Sequence, residues 1–371
     1  MNILIINYIL TTAEKGVITR RASVKDTVIC NFARGFVANG HTVTILAGEE
    51  FKPTQDETYK GFKIIYFPSR WPRIFRPDLL PWPRGLRQYL REHAAEYDFV
   101  ISSEVFQVTS LIAARTCPEK LIIWHEMDRH QRKLFKLPAR TWYNVIAPLL
   151  MRNILVVPRS IPAQQFIKQY SSHVTDEIVD HGANGAVLYP GDEVDDAFIV
   201  VSRLVPLKWV NKTIDNFARL LQEPGYSHYK LHIVGDGECS DDLKRQVADA
   251  GLTESVIFHG FMSHEKMGGL LRRARAMLIS TSHDLNMVSI PEAIISGTPI
   301  VTNMVPLSAP YIKEHGLGIA RDDWDYTDLM EVASHYDRYH QACLAMRDEL
   351  TNAGCARKMV EIYRKYLKQG H

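Results

Sequence analysis

The chain has 371 residues, 46% of them hydrophobic and 23% charged, with a formal net charge of +2 at pH 7. That length exceeds one ordinary hydrophobic core and predicts two domains, while the composition excludes a disordered or collagen-like chain. No apolar run approaches the ~18 residues of a membrane helix, and the stretch from Met1 to Asn7 reads as a strand rather than a leader, so a cytoplasmic protein is expected.

Five cysteines, Cys30, Cys117, Cys239, Cys343 and Cys355, are scattered without a CxxC spacing. That pattern argues against a disulfide framework or a zinc site. Charge divides unevenly: residues 1–185 hold 24 Lys and Arg against 17 Asp and Glu, and residues 186–371 hold 20 against 25.

In the first half, short apolar runs at 2–6, 41–47, 99–103, 120–124 and 153–158 lack alternation, as strands buried on both faces do. Between the first two, Val28, Phe32, Phe36 and Val37 share a face of a helix predicted over 24–39 and ended by Gly40. This is a βαβ unit and implies a parallel sheet. The loop Asn7–Gly16 follows the first strand. Lys63, Arg70, Arg73, Arg76, Arg84, Arg87 and Arg91 stand against Asp78 alone, interleaved with Trp71, Phe75 and Trp82. Residues 63–91 thus read as a solvated loop, a polyanion site or an interfacial contact with an anionic membrane. His125 and Glu126 close the strand at 120–124, where doubly wound sheets place functional groups.

Asn184-Gly185 and Pro190-Gly191-Asp192 punctuate the chain before a second βα series opens at 197–202 and continues at 229–234, 255–258, 276–280 and 298–301. The expected domains are 1–185, 186–350 and a C-terminal helix, 351–371, able to pack back on the first. Arg203 and Lys208 follow the opening strand of the second series, and a guanidinium fork with an ammonium suits a diphosphate. Gly235-Asp236-Gly237-Glu238-Cys239-Ser240 lacks the third glycine of a dinucleotide fingerprint and reads as a tight turn. Pro291 in a first helical turn predicts a short helix with open N–H groups around Ile290–Ala293. Asp284 and Glu292, with seven residues between them, suit hydroxyl binding better than the paired chemistry of glycoside hydrolysis.

Taken in order, Arg203-x4-Lys208, Val234-Gly235-Asp236-Gly237, Val256-Ile257-Phe258-His259-Gly260 and Asp284-x7-Glu292 resemble the C-terminal domain of the retaining GT-B glycosyltransferases of family 4 (glycosyl transferases group 1). The resemblance implies an α/β GT-B fold, with two Rossmann-like doubly wound domains facing an interdomain cleft. It implies that Arg203 and Lys208 bind the donor diphosphate and that Glu292 binds the ribose. Asp284 would reach donor-sugar hydroxyls, Phe261 and Met262 would line the base pocket, and His125 would lie beside the reacting bond. Gly16, Gly235, Leu285, Asn286 and Ile290 complete the implied donor site. Two departures stand out: Asp284-Leu285-Asn286-Met287 where the family has Glu-Gly-Phe-Gly, and Lys208-Trp209 where it has Lys-Gly.

The expected activity is transfer of a sugar from a UDP- or GDP-sugar to a hydroxyl of a glycan, lipid-linked or other small acceptor in cell-surface polysaccharide or glycoconjugate synthesis, with retention by resemblance. It needs no metal or cofactor, and no nucleic-acid partner is expected. A sugar-nucleotide epimerase and a catalytically weak nucleotide-sugar-binding protein are the alternatives.

Overall fold

The computed structural model describes residues 1–11, 13, 17–130, 136–283 and 287–366. The chain forms two compact units, Met1–Gly182 with Asn352–His371, and Ala183–Thr351.

The first unit runs β1 (Asn2–Ile6), α1 (Val28–Ala38), β2 (Thr42–Gly48), β3 (Phe62–Phe67), α2 (Leu86–His93), β4 (Phe99–Ser103), α3 (Val108–Ala114), β5 (Leu121–His125), α4 (Leu137–Thr141), α5 (Ala147–Leu150), β6 (Leu155–Pro158) and α6 (Ile161–Ile167). Its strands form a parallel sheet in the order β3-β2-β1-β4-β5-β6. Side chains alternate across a strand. Ile3 and Ile5 therefore join Phe32, Phe36 and Trp124 in one core, while Leu4 and Ile6 join Leu86, Val100 and Tyr143 in the other. Helices cover both faces, which is why the strands read as unbroken apolar runs. Strand β3 escaped the sequence reading because Lys63 and the polar residues before it blurred the run.

The second unit repeats the plan: β7 (Ala197–Val201), α7 (Val210–Leu220), β8 (Lys230–Val234), α8 (Ser240–Asp249), β9 (Val256–Gly260), α9 (His264–Leu271), β10 (Ala276–Ile279), α10 (Ser289–Ile295), β11 (Ile300–Thr302), α11 (Ala309–Glu314), β12 (Gly318–Ala320), α12 (Tyr326–Ser334) and α13 (Tyr336–Leu350). The order is β12-β11-β10-β7-β8-β9, again parallel. In each sheet the strand order reverses beside the opening strand, and the crevice outside the carboxyl ends of strands there is where such sheets bind ligands.

The last helix, α14 (Asn352–Tyr366), packs on α1 of the first unit. Gly35 makes the contact possible: a Cβ there would sit 2.0 Å from the Asn352 carbonyl oxygen. Asn352 Nδ2 donates to the Asn31 carbonyl at 2.8 Å, Asn39 Nδ2 donates to the Ala353 carbonyl at 2.7 Å, and Tyr363 stacks on Phe99. Among the described residues no helix is long and apolar enough to cross a membrane.

Candidate functional site

In the second unit, three loops at the carboxyl ends of the central strands hold one another. After β7 the chain turns back, and the Leu204 N–H donates to the Asp236 carbonyl at 2.9 Å while the Cys239 N–H donates to the Leu204 carbonyl at 2.9 Å. Only glycine fits beneath this turn. A Cβ on Gly235, whose φ is +134°, would lie 1.8 Å from the Ser202 carbonyl oxygen, and one on Gly237 would lie 2.3 Å from that of Leu204. The glycines thus shape the loop that carries Arg203. The other end is tied to the loop after β10. The Leu207 carbonyl accepts from the Ser282 N–H at 2.8 Å, from Thr281 Oγ1 at 3.0 Å and from Ser282 Oγ at 3.2 Å. Asn303, just past β11, donates through Nδ2 to the Thr281 carbonyl at 2.6 Å and secures that loop in turn.

This scaffold sets the two cations apart in environment. Arg203 is exposed. Lys208 is buried at 6% exposure and lines a small cavity with Ser202, Thr213, Ser280 and Met287. Trp209 then opens α7 at φ 42° and ψ 37°, a left-handed conformation that costs a non-glycine residue roughly 1–2 kcal/mol. The Lys212 ammonium lies 3.6 Å from the Trp209 ring centroid and offsets part of that cost.

Glu292 is 7% exposed, and its Oε1 meets His264 Nε2 at 3.0 Å. His264 begins α9, directly after the loop carrying Phe261 and Met262, so the segment after β9 lies beside α10. Phe261 is 89% exposed and Met262 is partly buried. The sequence placed open N–H groups around Ile290–Ala293. The structure differs: the Ile290 N–H donates to the Met287 carbonyl at 3.2 Å, the Glu292 N–H donates to that of Val288 at 3.4 Å, and Pro291 has no N–H. The Ile290 side chain belongs to the core. Asp284, Leu285 and Asn286 lie outside the described residues, as does Gly16 of the first unit.

The first unit has its own polar assembly at the strand ends. His125, the last residue of β5, is wholly enclosed. Its Nδ1 stands 2.9 Å from Glu104 Oε2, its ring lies parallel to Phe166, and Tyr143 meets it edge-on. Glu104 sits just past β4 at φ 67°, and its Oε1 also accepts from the Glu126 N–H at 2.8 Å. Burial works against its charge, yet His125, the Glu126 amide and Arg159 together hold its carboxyl below the ordinary value. Arg159, just past β6, pairs with Glu126 at 2.5 Å, lies 3.6 Å from Asp180 and rests over the Trp124 ring at 4.3 Å. Asp180 is likewise held well below its ordinary value, burial being outweighed by His181 and Arg159.

Sequence reasoning named His125 but missed Glu104, Arg159 and Asp180, as well as His264. A signal existed for two of them: Glu104 and Arg159 are the first charged residues after buried strands, the same rule that found Arg203.

Residues 189–332 match the family model described as glycosyl transferases group 1, and residues 26–160 match that of glycosyltransferase family 4. The 2-deoxystreptamine glucosyltransferase of Streptomyces kanamyceticus is 32% identical over 68 residues, 18% of each chain. The alpha-monoglucosyldiacylglycerol synthase of Streptococcus pneumoniae is 24% identical over 124 residues, 33% of this chain and 28% of its own. The chain thus spans well under a third of the length of the curated relatives it matches. Over whole chains, the fold is that of sucrose-phosphate synthase from Thermosynechococcus elongatus (TM-score 0.64, 13% identity, 100% of both chains). It is equally that of Anabaena HepE in complex with UDP (TM-score 0.62, 14% identity, 98% of this chain and 100% of the other).

Proposed function

Because the chain belongs to the GT-B glycosyltransferases, we propose that it moves a sugar from a nucleotide-diphosphate-sugar to an acceptor hydroxyl, with the donor diphosphate held by Arg203 and Lys208. One observation carries the donor assignment: Lys208 is buried at the carboxyl end of the opening strand, on a loop whose far end presents an exposed arginine. A pyrophosphate reaching this loop would meet one fixed point charge and one adaptable fork. A structural relative with UDP bound supports the nucleotide class.

As the glycosidic bond to the diphosphate breaks, negative charge grows on the departing phosphate oxygens, and the two cations stabilise it. In this reading the leaving group needs no metal. Glu292, oriented by His264, accepts from the ribose hydroxyls. Asp284 reaches the donor sugar, and the acceptor hydroxyl enters on the face the diphosphate leaves, so the anomeric configuration is retained. His125 positions the strand-end loops of the first unit through Glu104. The acceptor is a glycan or a lipid-linked sugar of cell-surface polysaccharide synthesis, and the base is uracil or guanine.

Thermal unfolding with UDP, GDP and their sugar conjugates tests the donor, since a ligand that binds only the folded state raises the midpoint. Stabilisation by one nucleotide series, lost in Lys208→Ala, is the expected result. No stabilisation by any of them overturns the diphosphate site, and conversion of donor without an acceptor would identify an epimerase instead.

A further inference from the structure

We propose that the outer surface of the α2, α3 and α5 layer in the first unit is a seat for an anionic lipid leaflet, in which an arginine groove takes phosphate-bearing headgroups and a leucine ridge enters the acyl boundary. The inference stands apart from the donor site, which lies in the second unit.

The groove has a volume of about 810 Å3 and is lined by Arg70, Arg84, Arg87, Arg91 and Arg115 with Trp82 on one side. All five guanidinium groups belong to exposed residues, and none forms an ion pair with a carboxylate among the described residues. The one acid on the rim, Glu92, accepts instead from Gln88 Nε2 at 2.9 Å. Like charges gathered this closely repel, and the fold leaves them uncompensated. A phosphate can accept two parallel hydrogen bonds from each guanidinium, so phosphate esters fit the groove's chemistry.

The ridge is a separate observation. From α4 through the π-type turn Trp142–Ile146 to α5, Ala139, Tyr143 and Ala147 face the core. The opposite side presents Leu137, Val145, Leu149 and Leu150, with Leu149 74% exposed. Helix α3 touches both α2 and α5, and all three cover the same sheet face, so their free sides look outward together. In the sequence, no Asp or Glu occurs from Arg129 to Thr175, while eight Lys and Arg do. Exposed leucines on a basic segment that carries no acids gain from an apolar layer beneath a negative surface. On the loop before the groove, exposed Trp71 and Ile74 add an aromatic of the kind that settles at headgroup level. A nucleic acid would use the arginines and leave the leucines in water. A protein partner would not require the acid-free stretch.

The experiment is co-sedimentation of the full chain with vesicles of phosphatidylcholine alone or mixed with phosphatidylglycerol, at low and high salt. The expected result is binding only to the mixed vesicles, weakened by salt. It should fall about tenfold or more in Arg87→Gln/Arg91→Gln/Arg115→Gln and also in Leu149→Ser/Leu150→Ser. The midpoint shift produced by UDP should be unchanged in both variants, which shows that they are folded and separates this test from that of the donor site. Three outcomes overturn the proposal: no dependence on phosphatidylglycerol; glycerol phosphate stabilising the protein through the arginines while vesicles do not bind; or the leucine variant converting a dimer to a monomer.

Discussion

The two sheets are built on one plan, yet their crests treat charge in opposite ways. In the first unit, the carboxylates and cations past β4, β5 and β6 pair with each other: Glu104 with His125, and Arg159 with Glu126 and Asp180. In the second, Arg203 past β7 stays exposed on a loop braced by glycines and backbone hydrogen bonds. A strand end whose charges satisfy one another is rigid but has little left to offer a ligand. One that holds its loop by the main chain keeps its side chains available. The same topology can therefore supply one crest closed on its own charges and another that leaves an arginine exposed.

The sharpest way to break this contrast is to remove one partner from the first crest. Arg159→Ala leaves Glu126 and Asp180 without their cation and uncovers the Trp124 face; with Glu126 exposed and Asp180 partly so, a loss of about 1–2 kcal/mol is expected. The urea midpoint should drop accordingly, while UDP still stabilises the folded protein. Lys208→Ala should show the reverse: a near-normal midpoint with turnover reduced about 100- to 1000-fold, the scale of losing one charge-stabilising group, measured by release of nucleotide diphosphate. Near-normal turnover would remove Lys208 from the mechanism.

Gly235→Ala tests whether the second crest is held by its main chain. The added methyl meets the Ser202 carbonyl at a forbidden distance and strains a positive φ, so a loss of about 2–3 kcal/mol is expected, together with weaker UDP binding. Acid should act on the first crest. Glu104 and Asp180 have carboxyls depressed in the folded protein, so their contribution to stability is present above the unfolded-state values and is lost as pH falls through the folded ones. Stability measured from pH 7 downward should decline, and Glu104→Gln should flatten that decline. The smallest effect is expected for Trp209→Gly: relief of a left-handed residue and loss of the Lys212 contact nearly cancel, leaving a change under about 1 kcal/mol. Trp209→Val, β-branched at the same φ, should be clearly worse.

What the sequence disclosed follows from which forces are local. Apolar runs such as Ile3–Ile6 and Phe198–Val200 announce strands buried on both faces, and the first residues past them include the cations of the second crest. Strand β12 is only three residues long, Gly318–Ala320, and its pairing with β11 is set by tertiary contact rather than by any pattern of its own. Gly235 read correctly as part of a tight turn, but the reason glycine is required there is a carbonyl more than thirty residues earlier in the chain. The amide of Ile290 looked open because Pro291 suggested a later helix start; α10 begins at Ser289, and Met287 claims that N–H. Glu104 and Arg159 gain their meaning from meeting His125 and Asp180, and that convergence has no signature along the chain.

The docking of α14 on α1 has a bearing on how the protein is made. Residues that complete the core of the first unit, Cys355, Met359, Val360 and Ile362, are translated only after the whole second unit. Domains that emerge early usually fold early during synthesis. Here the amino-terminal sheet must wait on the ribosome with one flank of α1 uncovered, so the second unit can finish first. Termination just after Leu350, before α14, would damage the half of the molecule farthest away in sequence.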